Sequence, residues 1–255
     1  MRLANKTAVI TGAGRGLGEA FAMKLAQEGA DVLASDIDLG AAERVADAIV
    51  GLGRKGLAFQ ADVRDKQGVQ AMAAYAIQEL GKVDVLVNNA GTFRDNLLEN
   101  ISEEDWDLVL DTNLKGAFLC SQAFAPHMKA RRYGKIVNIS SRAFMGNVGQ
   151  ANYSASKGGV VSLTRTLGLE LARYGINVNC VAPGLIDTDL TRRMKQEIKE
   201  LMVVSTPIQR IGQPEEVANA VLFFASDEAS FVVGQTLLVC GGRSVGMLLA
   251  KPKKA

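Results

Sequence analysis

The sequence predicts an α/β fold built on a single doubly wound parallel sheet with helices on both faces. Short apolar runs alternate with helix-periodic segments from one end of the chain to the other. The runs are near-continuously apolar rather than alternating, the pattern of strands covered on both sides. The first run also leads through a glycine-rich turn into a helix, as at the opening βα unit of such sheets.

The strand candidates, in order, are Thr7–Thr11, Asp31–Ser35, Gly56–Ala61, Val83–Asn88, Lys135–Ser140, Asn177–Val181 and Thr236–Val239. Each of the first five is followed by a helix-periodic segment, for example Gly16–Glu28 and Lys66–Leu80. With 255 residues and 48% apolar content, one sizeable core is expected. No linker or repeat interrupts it, so 1–255 reads as one domain, with a substrate-specific segment at about 187–207.

The net charge of +2 comes from 29 basic and 27 acidic residues intermixed along the chain, which disfavours nucleic-acid and membrane-surface partners. The basic cluster Lys251-Pro252-Lys253-Lys254 reads as a solvated end. Cys120, Cys180 and Cys240 form no CxxC pair and read as reduced core residues of a cytoplasmic protein; no metal is expected. A strand beginning at Thr7 leaves no room for a signal peptide, and no apolar run reaches membrane-spanning length.

The first turn reads Thr11-Gly12-Ala13-Gly14-Arg15-Gly16-Leu17-Gly18. Glycines there let backbone approach a pyrophosphate, whose charge suits a helix N-terminus. GxGxxG is not met strictly, and a glycine turn without a ligand stays open on spacing alone. Asp36 ends the second strand, 18 residues after Gly18, where a carboxylate can accept hydrogen bonds from an adenosine ribose. Together these suggest a Rossmann-like nucleotide site.

Farther on, Tyr153 and Lys157 stand four apart at the head of a segment striped by Val160, Val161, Leu163, Leu167 and Leu171. On a helix they share a face. A phenol has a free pKa of about 10 and is a poor acid or base at neutrality. An adjacent ammonium is expected to lower that value and let Tyr153 exchange a proton with an alcohol or carbonyl. YxxxK arises by chance in many chains, so the pair gains weight only from its surroundings.

Those surroundings are ordered motifs. TGxxxGxG fits Thr11, Gly12, Gly16 and Gly18; an acid stands in Ala61-Asp62-Val63; NNAG is Asn88-Asn89-Ala90-Gly91. Asn113 lies in Asp111-Thr112-Asn113-Leu114, and Pro183-Gly184 is followed by Ile186 and Thr188. In these motifs the chain resembles the short-chain dehydrogenase/reductase family over essentially its whole length up to about Gly242. The resemblance implies a dinucleotide site of Gly12, Arg15, Gly16, Leu17, Gly18, Asp36, Asp62, Val63, Asn89, Ala90, Gly91, Tyr153, Lys157, Pro183, Gly184, Ile186 and Thr188. It further implies that Tyr153 is the general acid/base and that Lys157 holds the nicotinamide ribose. Asn113 would carry a water leading to Lys157, and a serine would bind the substrate oxygen.

That serine is ambiguous. Thirteen positions before Tyr153 stands Ser140, whereas counting from the strand Gly134–Ile139 gives Ser141. Strand ends are held in register while loops absorb deletions, which favours Ser141. The catalytic set is then Asn113, Ser141, Tyr153 and Lys157. The lone His127 reads as a surface or capping residue and Trp106 as packing.

The expected activity is NAD(H)-dependent interconversion of a secondary alcohol and a ketone. Asp36 opposes the 2′-phosphate of NADP, although Arg15 offers it a cation. Phe93–Leu98 and Gly146–Tyr153 resemble 3-oxoacyl-thioester reductases. Arg132 matches one of two arginines by which those enzymes hold acyl carrier protein, but the second falls on Tyr174, with Arg173 offset by one. A 3-hydroxyacyl/3-oxoacyl thioester of CoA is therefore expected. The alternatives are a cyclic or aryl secondary alcohol, and, in a different class, a catalytically idle NAD-binding scaffold. Arg142–Met145 and the 187–207 segment are expected to line the pocket. The family commonly carries an acid before its last Gly-Gly, where this chain has Cys240. Leu108–Met128 and Gly149–Arg173 carry apolar residues on more than one face, which together with the resemblance implies a homotetramer.

Overall fold

The computed structural model describes residues 1–192 and 194–246, so the basic tail lies outside the described residues. The strands are β1 (Thr7–Thr11), β2 (Asp31–Asp36), β3 (Gly56–Gln60), β4 (Val85–Asn88), β5 (Gly134–Ile139), β6 (Ile176–Pro183) and β7 (Thr236–Val239). They form one sheet in the order β3-β2-β1-β4-β5-β6-β7, every pair parallel. Each expected strand is present, with ends shifted by two residues or fewer.

The helices are α1 (Gly16–Gln27), α2 (Leu39–Gly51), α3 (Lys66–Leu80), α4 (Glu103–Leu110), α5 (Gly116–Arg131), α6 (Ala151–Leu171), α7 (Asp189–Arg192), α8 (Gln196–Val204) and α9 (Pro214–Ala225). Their starts follow capping chemistry. Asp38 accepts the Ala41 N–H, Asp65 those of Gln67 and Gly68, and Ser102 that of Asp105. Because side chains alternate across a strand, neighbouring residues serve opposite cores. Ala8, Ile10, Val85 and Val87 pack with Phe21, Leu25, Val217 and Val221 of α1 and α9. Val9, Leu86 and Ile136 pack with Met72, Phe124 and Met128 of α3 and α5.

At the strand N-termini the buried Asp84 accepts from the Thr7 N–H at 3.0 Å and pairs with Arg131 at 2.8 Å and Lys82 at 3.1 Å. Burial pushes its carboxyl up, but those two cations outweigh it and hold the group below its ordinary value. His127 accepts the Val83 N–H at its Nε2, 3.2 Å away, and caps the approach to β4. Both lie at the end of the sheet away from the strand C-termini.

The stretch Leu108–Met128 departs from a continuous helix. Between α4 and α5, residues Asp111–Lys115 form one π-helical turn, in which the Gly116 N–H reaches back to the Asp111 carbonyl. Asn113 is buried inside it, its amide drawn to the backbone of Thr92, and that tertiary anchor holds the widened turn open. No helix among the described residues is long and apolar enough to cross a membrane.

Candidate active site

Strand order reverses between β1 and β4, and at such a switch point the loops diverge and leave a crevice at the strand C-termini. Here the crevice floor is stitched together. The Thr11 hydroxyl accepts the N–H groups of Asn89 and Ala90, each at 3.1 Å, while Asn89 Nδ2 donates to the carbonyls of Thr11 and Gly12 at 3.0 and 2.9 Å. Gly12 takes a left-handed φ of 62°, and a Cβ on Gly18 would come within 2.0 Å of the Gly12 carbonyl oxygen. The glycines are thus required by the turn and by α1 sitting directly on it.

Above this floor lies a cleft of about 480 Å³, continuous through Leu17, Asn89, Gly91 and Thr188 with an inner cavity of about 280 Å³. Gly12, Arg15, Gly16, Leu17, Gly18, Asp36, Asp62, Val63, Asn89, Ala90, Gly91 and Thr188 line the outer part. Ser141, Tyr153, Lys157, Pro183, Gly184 and Ile186 line the inner part. Among the residues expected at the site, Asn113 lines neither; nor does the Arg142–Met145 stretch, whose turn folds away from the cleft walls, and of the 187–207 segment Thr188 and Thr191 are the described residues that do.

The outer cleft fits a dinucleotide. A Cβ built on Gly16 meets nothing nearer than the Thr188 methyl at 4.0 Å, so open space lies over the N-terminus of α1. That is where unpaired N–H groups and the helix dipole favour a phosphate. At the far end, Asp36 is fixed by accepting the N–H groups of Gly14 at 2.9 Å and Asp38 at 3.1 Å. Asp62 lies beside a cation of its own chain. Both its oxygens accept from Arg64, which holds the carboxyl below its usual range, so a bound dinucleotide would share it with a guanidinium.

At the inner end the two candidate serines separate. Ser140 is buried and its hydroxyl donates to the Lys157 carbonyl at 2.8 Å, a contact within the core. Ser141, extended at φ −159°, caps the turn Arg142–Met145 and stands within hydrogen-bonding reach of the Tyr153 phenol. α6 presents Tyr153 and Lys157 on one face, with the ammonium 5.7 Å from the ring centroid. Burial pushes Lys157 down to about 8, and its Nζ donates to the Ile139 carbonyl at 2.9 Å.

The expected lowering of the Tyr153 pKa is not what this arrangement produces. Burial raises it, the Ser141 hydroxyl pulls it back in part, and the ammonium is held on Ile139 instead of the phenol oxygen. A buried cation takes the nearest full acceptor. Asn113 likewise carries direct protein contacts: it grips Thr92 through both amide atoms, at 2.7 and 2.9 Å, and donates to Ser156 Oγ at 3.0 Å. Ser156 in turn donates to the Tyr153 carbonyl at 2.8 Å. A Cβ on Gly91 would fall 3.1 Å from Asn113 Oδ1 and 3.4 Å from Lys157 Nζ, so Gly91 keeps these groups close.

A family model described as enoyl-(acyl carrier protein) reductase matches residues 12–244. The chain belongs to the short-chain dehydrogenase/reductase family. It is 46% identical over 239 residues to the 3-oxoacyl-[acyl-carrier-protein] reductase of Staphylococcus aureus, covering 93% of this chain and 97% of that one. A (2S)-[(R)-hydroxy(phenyl)methyl]succinyl-CoA dehydrogenase subunit of Thauera aromatica is 43% identical over 245 residues, covering 96% and 99%. Among solved structures, a 7α-hydroxysteroid dehydrogenase complexed with NADH and 7-oxo glycochenodeoxycholic acid is 41% identical, with TM-score 0.91 over 94% of this chain and 95% of that one. Levodione reductase superposes at TM-score 0.93 with 33% identity, over 96% and 99%. As a member of this family the chain is an oxidoreductase working with a nicotinamide dinucleotide, NAD(H) or NADP(H). Enzymatic membership disfavours the idle-scaffold alternative.

Sequence reasoning missed Ile37, Arg64, Thr92 and Thr112 in the outer cleft, whereas Phe93 and Thr191 of the inner one fall in the stretches Phe93–Leu98 and 187–207 that it singles out. Ile37, Arg64 and Thr92 stand on loops and turns, where no periodicity marks them, and Thr112 stands in the π-helical turn. Ser156 was missed although it lies inside the YxxxK motif, because only the fold brings Asn113 against it.

Proposed function

We propose that this chain is an NAD(H)-dependent dehydrogenase that interconverts 3-hydroxyacyl and 3-oxoacyl thioesters of the CoA type. The observation that carries the reading is the Ser141–Tyr153–Lys157 group at the inner end of a cleft whose outer end is closed by the fixed carboxylate of Asp36. Support for a thioester comes from the relatives that act on acyl-carrier-protein and CoA thioesters, which also disfavour a simple cyclic or aryl alcohol. CoA is favoured over a carrier protein because Arg132 is turned onto the Arg173 carbonyl at 3.0 Å and Arg173 stacks on Tyr174, 4.9 Å from its ring centroid.

Gly12, Gly16, Gly18 and the N-terminus of α1 would cradle the pyrophosphate, while Pro183, Gly184, Ile186 and Thr188 would border the nicotinamide. The dinucleotide supplies or accepts hydride when bound. Ser141 donates a hydrogen bond to the substrate oxygen and stabilises charge developing there. Tyr153 takes the alcohol proton in oxidation and returns it in reduction. Lys157 holds positive charge beneath the phenol and reaches toward the ribose hydroxyls. Asn113 acts as a positioning residue, fixing the loop at Thr92 and the first turn of α6 through Ser156.

Asp36 carries the choice of NAD. Against a 2′-phosphate it would meet like charge in a partly desolvated cleft, and it would forfeit ribose hydrogen bonds worth roughly 1.5–3 kcal/mol each. Arg15 is exposed and offsets only part of this. Catalytic efficiency with NAD is expected to exceed that with NADP by on the order of 10²-fold, about 2.7 kcal/mol. Asp36→Ala with Ile37→Arg should narrow or invert that ratio. The test is a grid of initial rates, NAD against NADP, over a 3-hydroxyacyl-CoA, the matching carrier-protein thioester and a cyclic alcohol. Preference for NADP would remove Asp36 from the ribose, and faster turnover of the carrier-protein thioester or the cyclic alcohol would overturn the CoA assignment.

The same reading includes a homotetramer in a cytoplasmic, reducing compartment, where the three unpaired cysteines need no partner. It is supported by a shallow groove across α4, α5 and α6, lined by Leu110, Leu114, Phe118 and Leu163, and by Leu169 at 83% exposure on α6. A helix apolar on its outer face is normally covered by a symmetric copy. Light scattering should give four times the chain mass; a monomer at micromolar concentration would rule the assembly out.

A further inference from the structure

The loop that carries the chain from β6 to α7 is held along both edges. On its outer edge the Gly212 N–H donates to the Leu185 carbonyl at 3.0 Å and the Asp187 N–H to the Gly212 carbonyl at 2.8 Å, a short parallel bridge. On its inner edge one side chain holds it. Thr191 Oγ1 accepts the Thr188 N–H at 2.8 Å, and its proton is shared between the carbonyls of Ile186 at 2.8 Å and Thr188 at 2.9 Å. The Arg192 N–H also donates to the Thr188 carbonyl, at 2.9 Å. Thr191 is 6% exposed and lines the inner cavity, whereas α8, farther along the same segment, buries none of its residues.

These contacts use both backbone polar groups of Thr188 and leave its hydroxyl. That hydroxyl has no hydrogen-bond partner among the described residues. Thr188 is half-buried and lines both the outer cleft and the inner cavity, so it stands where the two meet. Its methyl carbon is the nearest atom to the space over Gly16, 4.0 Å from a Cβ built there. With the backbone spent, the hydroxyl is what Thr188 can offer a ligand.

A hydroxyl is aimed only as well as its backbone is held, and here a second hydroxyl does the holding. Replacing Thr191 by Val keeps the branched shape but strands the Thr188 N–H and the Ile186 carbonyl in a buried place, and the loop must shift to satisfy them. We infer that Thr191 is a positioning residue for the dinucleotide, fixing Thr188 so that its hydroxyl meets the stretch of cofactor that crosses from the outer cleft into the inner cavity. The inference rests on the NAD(H) reading above and is independent of which alcohol is the substrate.

The test titrates the full chain with NADH by fluorescence and with 5′-AMP by calorimetry. Thr191→Val should weaken NADH on the order of 10-fold, as the loss of a hydrogen bond or two would do. AMP fills only the adenosine end, and its affinity should stay within about twofold. Thr191→Ser keeps the hydroxyl and should bind NADH as the wild type does. The double variant Thr188→Val/Thr191→Val should bind NADH no worse than Thr188→Val alone, because the two residues act as one unit. Equal losses for NADH and AMP would mark a general loosening and overturn the assignment. So would an unchanged Thr191→Val, a Ser variant as weak as the Val variant, or additive losses in the double variant. If Thr191→Val does not fold, amide hydrogen exchange on the wild type decides: NADH should slow exchange at Thr188 while AMP should not, and equal effects overturn the inference. A wild type that binds NADPH in place of NADH fails the NAD reading alone, and the same series is then read with NADPH.

Discussion

Tyr153→Phe is expected to lower turnover by on the order of 10²–10⁴-fold, the usual contribution of a general acid/base. The substitution keeps the ring, which is half-buried at the head of α6, and deletes the hydroxyl that faces Ser141. NAD affinity, read by quenching or fluorescence titration, should stay within a few-fold, since the cradle at Gly12, Gly16 and Gly18 is untouched. The wild-type oxidation rate should also rise with pH, because the phenol must be deprotonated to accept the alcohol proton and burial sets its titration above the ordinary value. A Phe variant retaining half its activity would remove Tyr153 from the mechanism.

Ser141→Ala should cost on the order of 10²–10³-fold in kcat, the effect of losing one hydrogen bond to a developing oxyanion. Ser140→Ala should act mainly on stability, by roughly 0.5–1.5 kcal/mol, because its hydroxyl serves only the Lys157 carbonyl inside the core. The pair of variants separates two ways of counting along the chain. One ties the serine to Tyr153 and the other ties it to the end of β5. Thermal unfolding and steady-state kinetics on both proteins give the answer, and the reverse ordering would restore Ser140.

The parts legible in the sequence were those set by local chemistry. Gly12 and Gly18 announce the turn because no side chain fits against the crevice floor, and Gly16 because its φ of 60° is left-handed. The strands announced themselves because both their faces are apolar. The π-helical turn at Asn113 was not legible, since it depends on Thr92 and Ser156, 21 and 43 residues away. The Asp62–Arg64 pair escaped notice because a turn, closed by the Asp65 N–H on the Asp62 carbonyl, brings the two residues together with no periodic signal. For Lys157, sequence spacing placed it correctly beside Tyr153 but could not show that Ile139 offers its carbonyl to the ammonium. The substrate end is the least legible part, assembled from the loops after β4, β5 and β6.

The most direct test of the account follows the hydrogen itself. Oxidation of a 3-hydroxyacyl-CoA carrying deuterium on its C3, with NAD in ordinary water, should give NADH one mass unit heavier and a 3-oxoacyl-CoA free of label. That outcome is required if a hydride passes within the cleft while Tyr153 removes only the hydroxyl proton. Unlabelled NADH, or deuterium appearing in the solvent, would contradict the mechanism at its centre.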